Sequence, residues 1–148
     1  MTRSFTTQTK IVKVMRKAFF DALGIASQVV RIEDVEIPTP QMGEVRIKVL
    51  AANIIPADIM FIKGTYGMKP QLPKSPAGYE GMGIIDKVGE GVDLSIGTRV
   101  CFYTTEAGSW ADYCIIKSST CIPVPEVYED TKAAQLFVNP FAAFGLIQ

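Results

Sequence analysis

From residue 44 to residue 51 the side chains alternate, with Glu44, Arg46 and Lys48 on one side and Val45, Ile47 and Val49 on the other. Successive side chains of an extended backbone point to opposite faces, so period two marks a half-buried strand. Apolar runs bounded by turn residues recur along the chain. They fall at residues 11–20, at 29–37 before Pro38 and Pro40, and at 79–87 before Gly89 and Gly91. Further runs lie at 99–103, 110–116 and 122–124. Many short strands at this spacing predict a mainly β protein with short helices, built as a closed or partly closed barrel and not as a parallel sheet.

Two segments read as helix. Pro56 opens one over 57–63, where Ile59, Phe61 and Ile62 supply apolar positions and Gly64 ends it. The chain from 64 to 78 reads as loop, held by Pro70, Pro73 and Pro76. Asp130 or Thr131 is expected to cap a second helix running through Phe137, bent by Pro140 and apolar nearly all round to Phe144. A helix so apolar needs a cover, so the chain reads as cut short at Gln148.

Composition narrows the chemistry. With 48% hydrophobic and 20% charged residues, the 148-residue chain can build one compact core and is not disordered. Fifteen bases balance fifteen acids, which gives no global attraction to nucleic acid or an anionic membrane. No apolar run approaches the roughly 20 residues that span a bilayer. The absence of histidine removes the commonest general base and metal ligand. Any chemistry must therefore run on Tyr, Asp, Glu, Lys, Cys or a borrowed cofactor. Cys101, Cys114 and Cys121 lack metal-ligand spacing and are expected as reduced core thiols. Residues 1–14 carry Arg3, Lys10 and Lys13 among hydroxyl residues, a composition shared with mitochondrial presequences. The stretch is short, and the expectation is an extra arm on the first strand of a cytoplasmic protein, with a mitochondrial location as the alternative.

The candidate groups are few. Gly78, Gly81 and Gly83 are spaced GxxGxG and lead into a strand, so no helix N-terminus follows to hold a pyrophosphate. Close backbone packing explains them better. Tyr66, in the proline-held loop, is a phenol able to donate a proton. Asp58 suits a helix N-terminus, and Glu80, flanked by glycines in an apolar strand, needs a partner if buried.

The joint order of Gly43-Glu44-Val45, Pro56-Ala57-Asp58, Gly64-Thr65-Tyr66, Gly78-Tyr79-Glu80-Gly81, Val88-Gly89 and Gly97-Thr98-Arg99-Val100 resembles the catalytic domain of medium-chain dehydrogenases/reductases. So does Trp110-Ala111-Asp112-Tyr113 followed by Ile122-Pro123-Val124-Pro125, and the likeness covers residues 15–148. It implies a GroES-like, partly open β-barrel over 15–130. Residues 131–148 would begin the helix linking to a Rossmann cofactor domain that this chain lacks. Zinc alcohol dehydrogenases carry a catalytic Cys and His where this chain has Ile55 and Tyr79, and no cysteine-rich loop lies between Val100 and Trp110. The resemblance thus points to the zinc-free quinone oxidoreductases and 2-enoyl thioester reductases, with no metal site.

The run from Asp58 to Gly67 followed by Pro70 and Leu72-Pro73 looks more like the enoyl reductases. By that likeness Tyr66 is the proton donor, Asn139 a cofactor contact, and NADPH (or NADH) the hydride source in the complete protein, with none held by this chain alone. The implied partner is a small molecule, with no nucleic acid or membrane, and a homodimer is allowed. Ile55 and Ala142 stand where relatives of this branch often have Asn and Thr. That departure favours a second reading, a non-catalytic barrel used for binding or oligomerisation.

Overall fold

The computed structural model describes residues 13–147, so the expected arm over 1–14 lies almost wholly outside the described residues. Eight strands and four short helices follow in order: β1 (Val14–Phe20), α1 (Ala26–Val29), β2 (Val30–Glu36), β3 (Glu44–Ala52), α2 (Pro56–Lys63), β4 (Ser75–Pro76), β5 (Glu80–Val88), β6 (Arg99–Tyr103), β7 (Tyr113–Lys117), β8 (Cys121–Pro123), α3 (Asp130–Ala133) and α4 (Val138–Leu146). A single 3-10 turn, Ser118–Thr120, links β7 to β8. Antiparallel pairing orders them into a three-stranded sheet, β2-β1-β4, and a five-stranded sheet, β7-β3-β5-β6-β8.

The two sheets are joined along β1. Lys17 bridges Ala111, and the Arg16 backbone N–H donates to the Asp112 carboxylate at 2.8 Å. The result is the partly open, curled barrel that the alternation of apolar and polar positions anticipates. Inside it, β3 turns Val45 and Ile47 inward against Ile85, Val100, Phe102, Cys114 and Ile116, all buried. A second cluster packs α2 onto the small sheet through Phe20, Phe61, Ile62 and Ala77. At Gly83 a side chain would run into the Lys48 carbonyl of β3, so glycine there is a packing requirement and not a nucleotide loop.

Four expectations need correction. The loop over 64–78 contains the two-residue strand β4, which pairs with the end of β1. Residues 110–112 are not part of β7; they make the junction with β1 instead. Glu129, not Asp130 or Thr131, sits at the N-cap of α3, and no side chain caps it. Finally, the expected continuous C-terminal helix is two helices, and the bend is not at Pro140. Proline lies in the first turn of α4, where its missing N–H breaks no helical bond. The ladder is interrupted earlier, across 134–137.

Candidate active site

Tyr66 is delivered by the end of α2. Gly64 closes that helix in the left-handed region, with φ of 74°, where a side chain would also collide with Leu23. The next two backbone N–H groups, of Thr65 and Tyr66, both donate to the Met60 carbonyl at 2.9 and 3.2 Å. The loop therefore leaves the helix in a fixed direction, and the Tyr66 ring packs half-buried with its centroid 5.9 Å from that of Tyr79.

Tyr79 is the middle of a row of rings. Inward it meets Phe61 at 5.2 Å, and Phe61 meets Phe20 edge-on at 5.8 Å. Outward it stacks on Tyr103 at 6.0 Å, and Tyr103 stacks on Phe137 at 5.6 Å. Phe137 in turn reaches Phe141 at 5.2 Å, on the exposed face of α4. Offset and edge-on contacts at these separations are favourable beyond the area they bury. The row runs from the core to the surface past Tyr66.

Burial raises the pKa of both Tyr79 and Tyr103 above the ordinary phenol value, most at Tyr79, with neighbouring phenols and the Asp58 carboxylate, and at Tyr103 also Glu80, adding to it. These two hydroxyls thus remain protonated donors at any pH the protein meets. The Tyr79 hydroxyl is buried and has no hydrogen-bond partner. Asp58 accepts the Ile55 N–H at 2.7 Å, closing the first turn of α2, while its Oδ1 is buried without a partner. Burial raises the Asp58 pKa and the Glu80 carboxylate adds to it, while the Ile55 hydrogen bond and the Tyr79 N–H nearby, beyond hydrogen-bond distance or angle, offset it in part.

Glu80 does find the partner its burial demands. It is 1% exposed, and its Oε1 accepts from Asn53 Nδ2 at 2.7 Å while Oε2 accepts the Val138 backbone N–H at 2.8 Å. Asn53 Nδ2 also donates to the Ala134 carbonyl at 3.0 Å. The Asn53 carbonyl accepts the indole N–H of Trp110 at 2.8 Å. Beside this cluster a cleft of about 390 Å³ opens between the end of β3 and the two C-terminal helices, lined by residues including Ile54, Ile55, Thr131, Gln135 and Asn139.

The two predicted site residues therefore occupy different features. Tyr66 packs against the aromatic row, whereas Asn139 lines the cleft, and the row reaches Phe137 two residues before Asn139. Sequence reasoning missed Asn53, Tyr103 and Phe137. Asn53 had a signal: β3 and β5 pair Ala52 with Gly81, so the carboxamide just beyond β3 was the natural partner for Glu80. Among the described residues no three His, Cys, Asp or Glu side chains gather into a group that could hold a metal.

Residues 41–126 match the alcohol dehydrogenase GroES-like domain, more than half of the chain. The chain belongs to that family. Its relatives are oxidoreductases. This GroES-like domain is 34% identical over 133 residues to the mitochondrial enoyl-[acyl-carrier-protein] reductase of Xenopus tropicalis, covering 89% of this chain and 38% of that one. It is 37% identical over 111 residues to the quinone oxidoreductase of Rattus norvegicus, covering 74% of this chain and 33% of that one. A solved structure from Mesorhizobium loti, described as an NADPH:quinone reductase, superposes with a TM-score of 0.80 at 32% identity, over 93% of this chain and 44% of its own. The chain thus spans about a third to under half the length of the proteins it matches.

Proposed function

We propose that this chain is the catalytic-domain portion of a zinc-independent, NAD(P)H-dependent reductase that acts on an electron-poor small molecule, a 2-enoyl thioester or a quinone. The observation that carries the reading is the place of Tyr66. It is a phenol fixed by the end of α2, half-buried against Tyr79, in a barrel of the family to which enoyl and quinone reductases belong. The likeness to the Xenopus and rat proteins supports both substrate classes.

The residues present fit one end of a dinucleotide. Asn139 and Gln135 offer carboxamides on the cleft, which can pair with an amide-bearing ring. No glycine-rich turn leading into a helix is present among the described residues to hold phosphates, so a further domain would supply that part. The nicotinamide group, when bound, supplies hydride. Tyr66 then provides the proton, or a hydrogen bond to the enolate oxygen, as charge develops on the substrate. Tyr103 and Phe137 continue the aromatic row outward from Tyr79, the ring that Tyr66 packs against.

The test is Tyr66→Phe in the complete enzyme, where a cofactor domain follows the barrel. Loss of a general acid lowers turnover of an enoyl thioester such as crotonyl-CoA by about 100-fold or more, and reduction of a naphthoquinone less. An unchanged enoyl rate removes Tyr66 from the mechanism. One observation favours the second reading, a binding or oligomerisation barrel: α4 buries no residue and carries exposed Phe141, Phe144 and Leu146. A stable oligomer with no NADPH-linked turnover in the complete protein would decide for it.

A further inference from the structure

A continuous helix from Asp130 to Leu146 would bond the Val138 N–H to the Ala134 carbonyl, four residues back. Both halves of that bond are present, and both are diverted. The Ala134 carbonyl accepts from Asn53 Nδ2 at 3.0 Å, and the Val138 N–H donates to Glu80 Oε2 at 2.8 Å. Asn53 and Glu80 then bond each other at 2.7 Å, closing the circuit. A side-chain pair has been inserted into one rung of the helical ladder, which is a recognised cause of a sharp break in a helix.

We propose that Asn53 and Glu80 are a positioning pair. By intercepting the Ala134–Val138 helical bond they part α3 from α4, and so place Phe137 against Tyr103, which stacks on Tyr79, the ring that Tyr66 packs against. The functional half of this inference rests on the reading of Tyr66 given above; the structural half stands on geometry alone.

Three features make the arrangement more than incidental packing. First, Glu80 is 1% exposed, so a lost partner could not be replaced by solvent. Second, each oxygen of the carboxylate accepts from a different N–H donor, so a carboxamide at position 80 would set one donor against another. Third, the residue just before the captured N–H is Phe137, whose ring stacks on Tyr103 at 5.6 Å and 16°. Moving the start of α4 therefore moves the outer end of the aromatic row. Asn139, two residues further on, moves with it and takes one wall of the cleft along.

The test replaces both members with apolar side chains, Asn53→Ala with Glu80→Leu, so that no half of the pair is left buried and unpaired. With nothing to intercept them, the Ala134 carbonyl and Val138 N–H bond to each other. The expected result is a gain of helix: Cα chemical shifts of residues 134–137 become helical, and the contact between Tyr103 and Phe137 ring protons disappears. Methyl signals of Ile47 and Ile85 stay in place, because the barrel core is untouched. A pair that merely added stability would give no gain of helix, so unchanged shifts at 134–137 in a folded double variant overturn the proposal.

Asn53→Ala alone, at a half-buried position, is the second variant. It frees the Ala134 carbonyl only, and the expected gain of helix is smaller; no gain in either variant counts against the pair. In the complete enzyme the double variant should lower kcat for crotonyl-CoA about 10-fold, equivalent to about 1.4 kcal/mol, while KM for NADPH changes less than threefold. A fused helix with unchanged kcat overturns the functional half. If Tyr66→Phe leaves the enoyl rate unchanged, the Tyr66 reading fails, and the helix result is unaffected.

Discussion

Replacing Tyr79 with Phe should stabilise the domain. The ring is 4% exposed and packs between Phe61, Tyr66 and Tyr103, and its hydroxyl is buried with no partner. Phe keeps the ring, its contacts and nearly all of its volume. What changes is one polar group, desolvated on folding and uncompensated. Such a group costs about 1 to 3 kcal/mol, and the small void left by the oxygen returns part of that. The expected net gain is about 1 to 2 kcal/mol, which for a domain of this size raises Tm by roughly 3 to 8 °C. Urea unfolding followed by the single tryptophan, Trp110, is the direct assay. The midpoint should rise with the slope unchanged, since the surface exposed on unfolding is the same. A midpoint lowered by an equivalent of about 1 kcal/mol is the opposite outcome. It would mean that the hydroxyl is bonded in the fold.

Other outcomes follow from the same geometry. Asp58 has a raised pKa in the fold, so the native state keeps its proton to higher pH than the unfolded chain does. Its contribution to stability is greatest below the ordinary Asp range and declines as pH rises toward the raised value. Asp58→Asn should flatten the fall of the urea midpoint as pH rises above the ordinary Asp range, and an unaltered slope would count against this assignment. Cys101, Cys114 and Cys121 are buried, and burial pushes the Cys114 and Cys121 thiols up to about 12, so native protein at pH about 8 should resist a thiol reagent. All three should react in urea, and rapid labelling of the native chain would contradict the packing. Phe102, on β6, is fully buried in the barrel core, and Phe102→Ala should cost about 3 to 5 kcal/mol in chemical denaturation.

The strands were legible because their chemistry is local. Val45 and Ile47 alternate with Arg46 and Lys48 whatever else the chain does, and Pro56 and Gly64 bracket α2 as their backbone preferences require. The loop tyrosine could be named from the sequence, but its setting could not. Tyr79, Tyr103 and Phe137 come from three separate segments, and only the pairing of β5 with β6 and the return of the C-terminal helices bring them together. The single long helix was misread for a similar reason. Residues 130–146 carry no glycine at the break and no strong stop signal there, so helix propensity alone runs on. What splits it is a carboxamide about 80 positions earlier and a carboxylate nearly 60 positions earlier, which take up one backbone donor and one acceptor. Glu80 did signal that something must meet it; which groups did so was a matter of register.

The reaction proposed for this barrel is a hydride transfer completed by a proton from Tyr66. Its most direct measurement is the isotopic composition of the product made by the complete enzyme from crotonyl-CoA and NADPH deuterated at the transferable position. One deuterium is expected at the β-carbon and a solvent-derived proton at the α-carbon, with the same labelling at a much lower rate in Tyr66→Phe. Product without deuterium, or a Tyr66→Phe enzyme as fast as the parent, would contradict it.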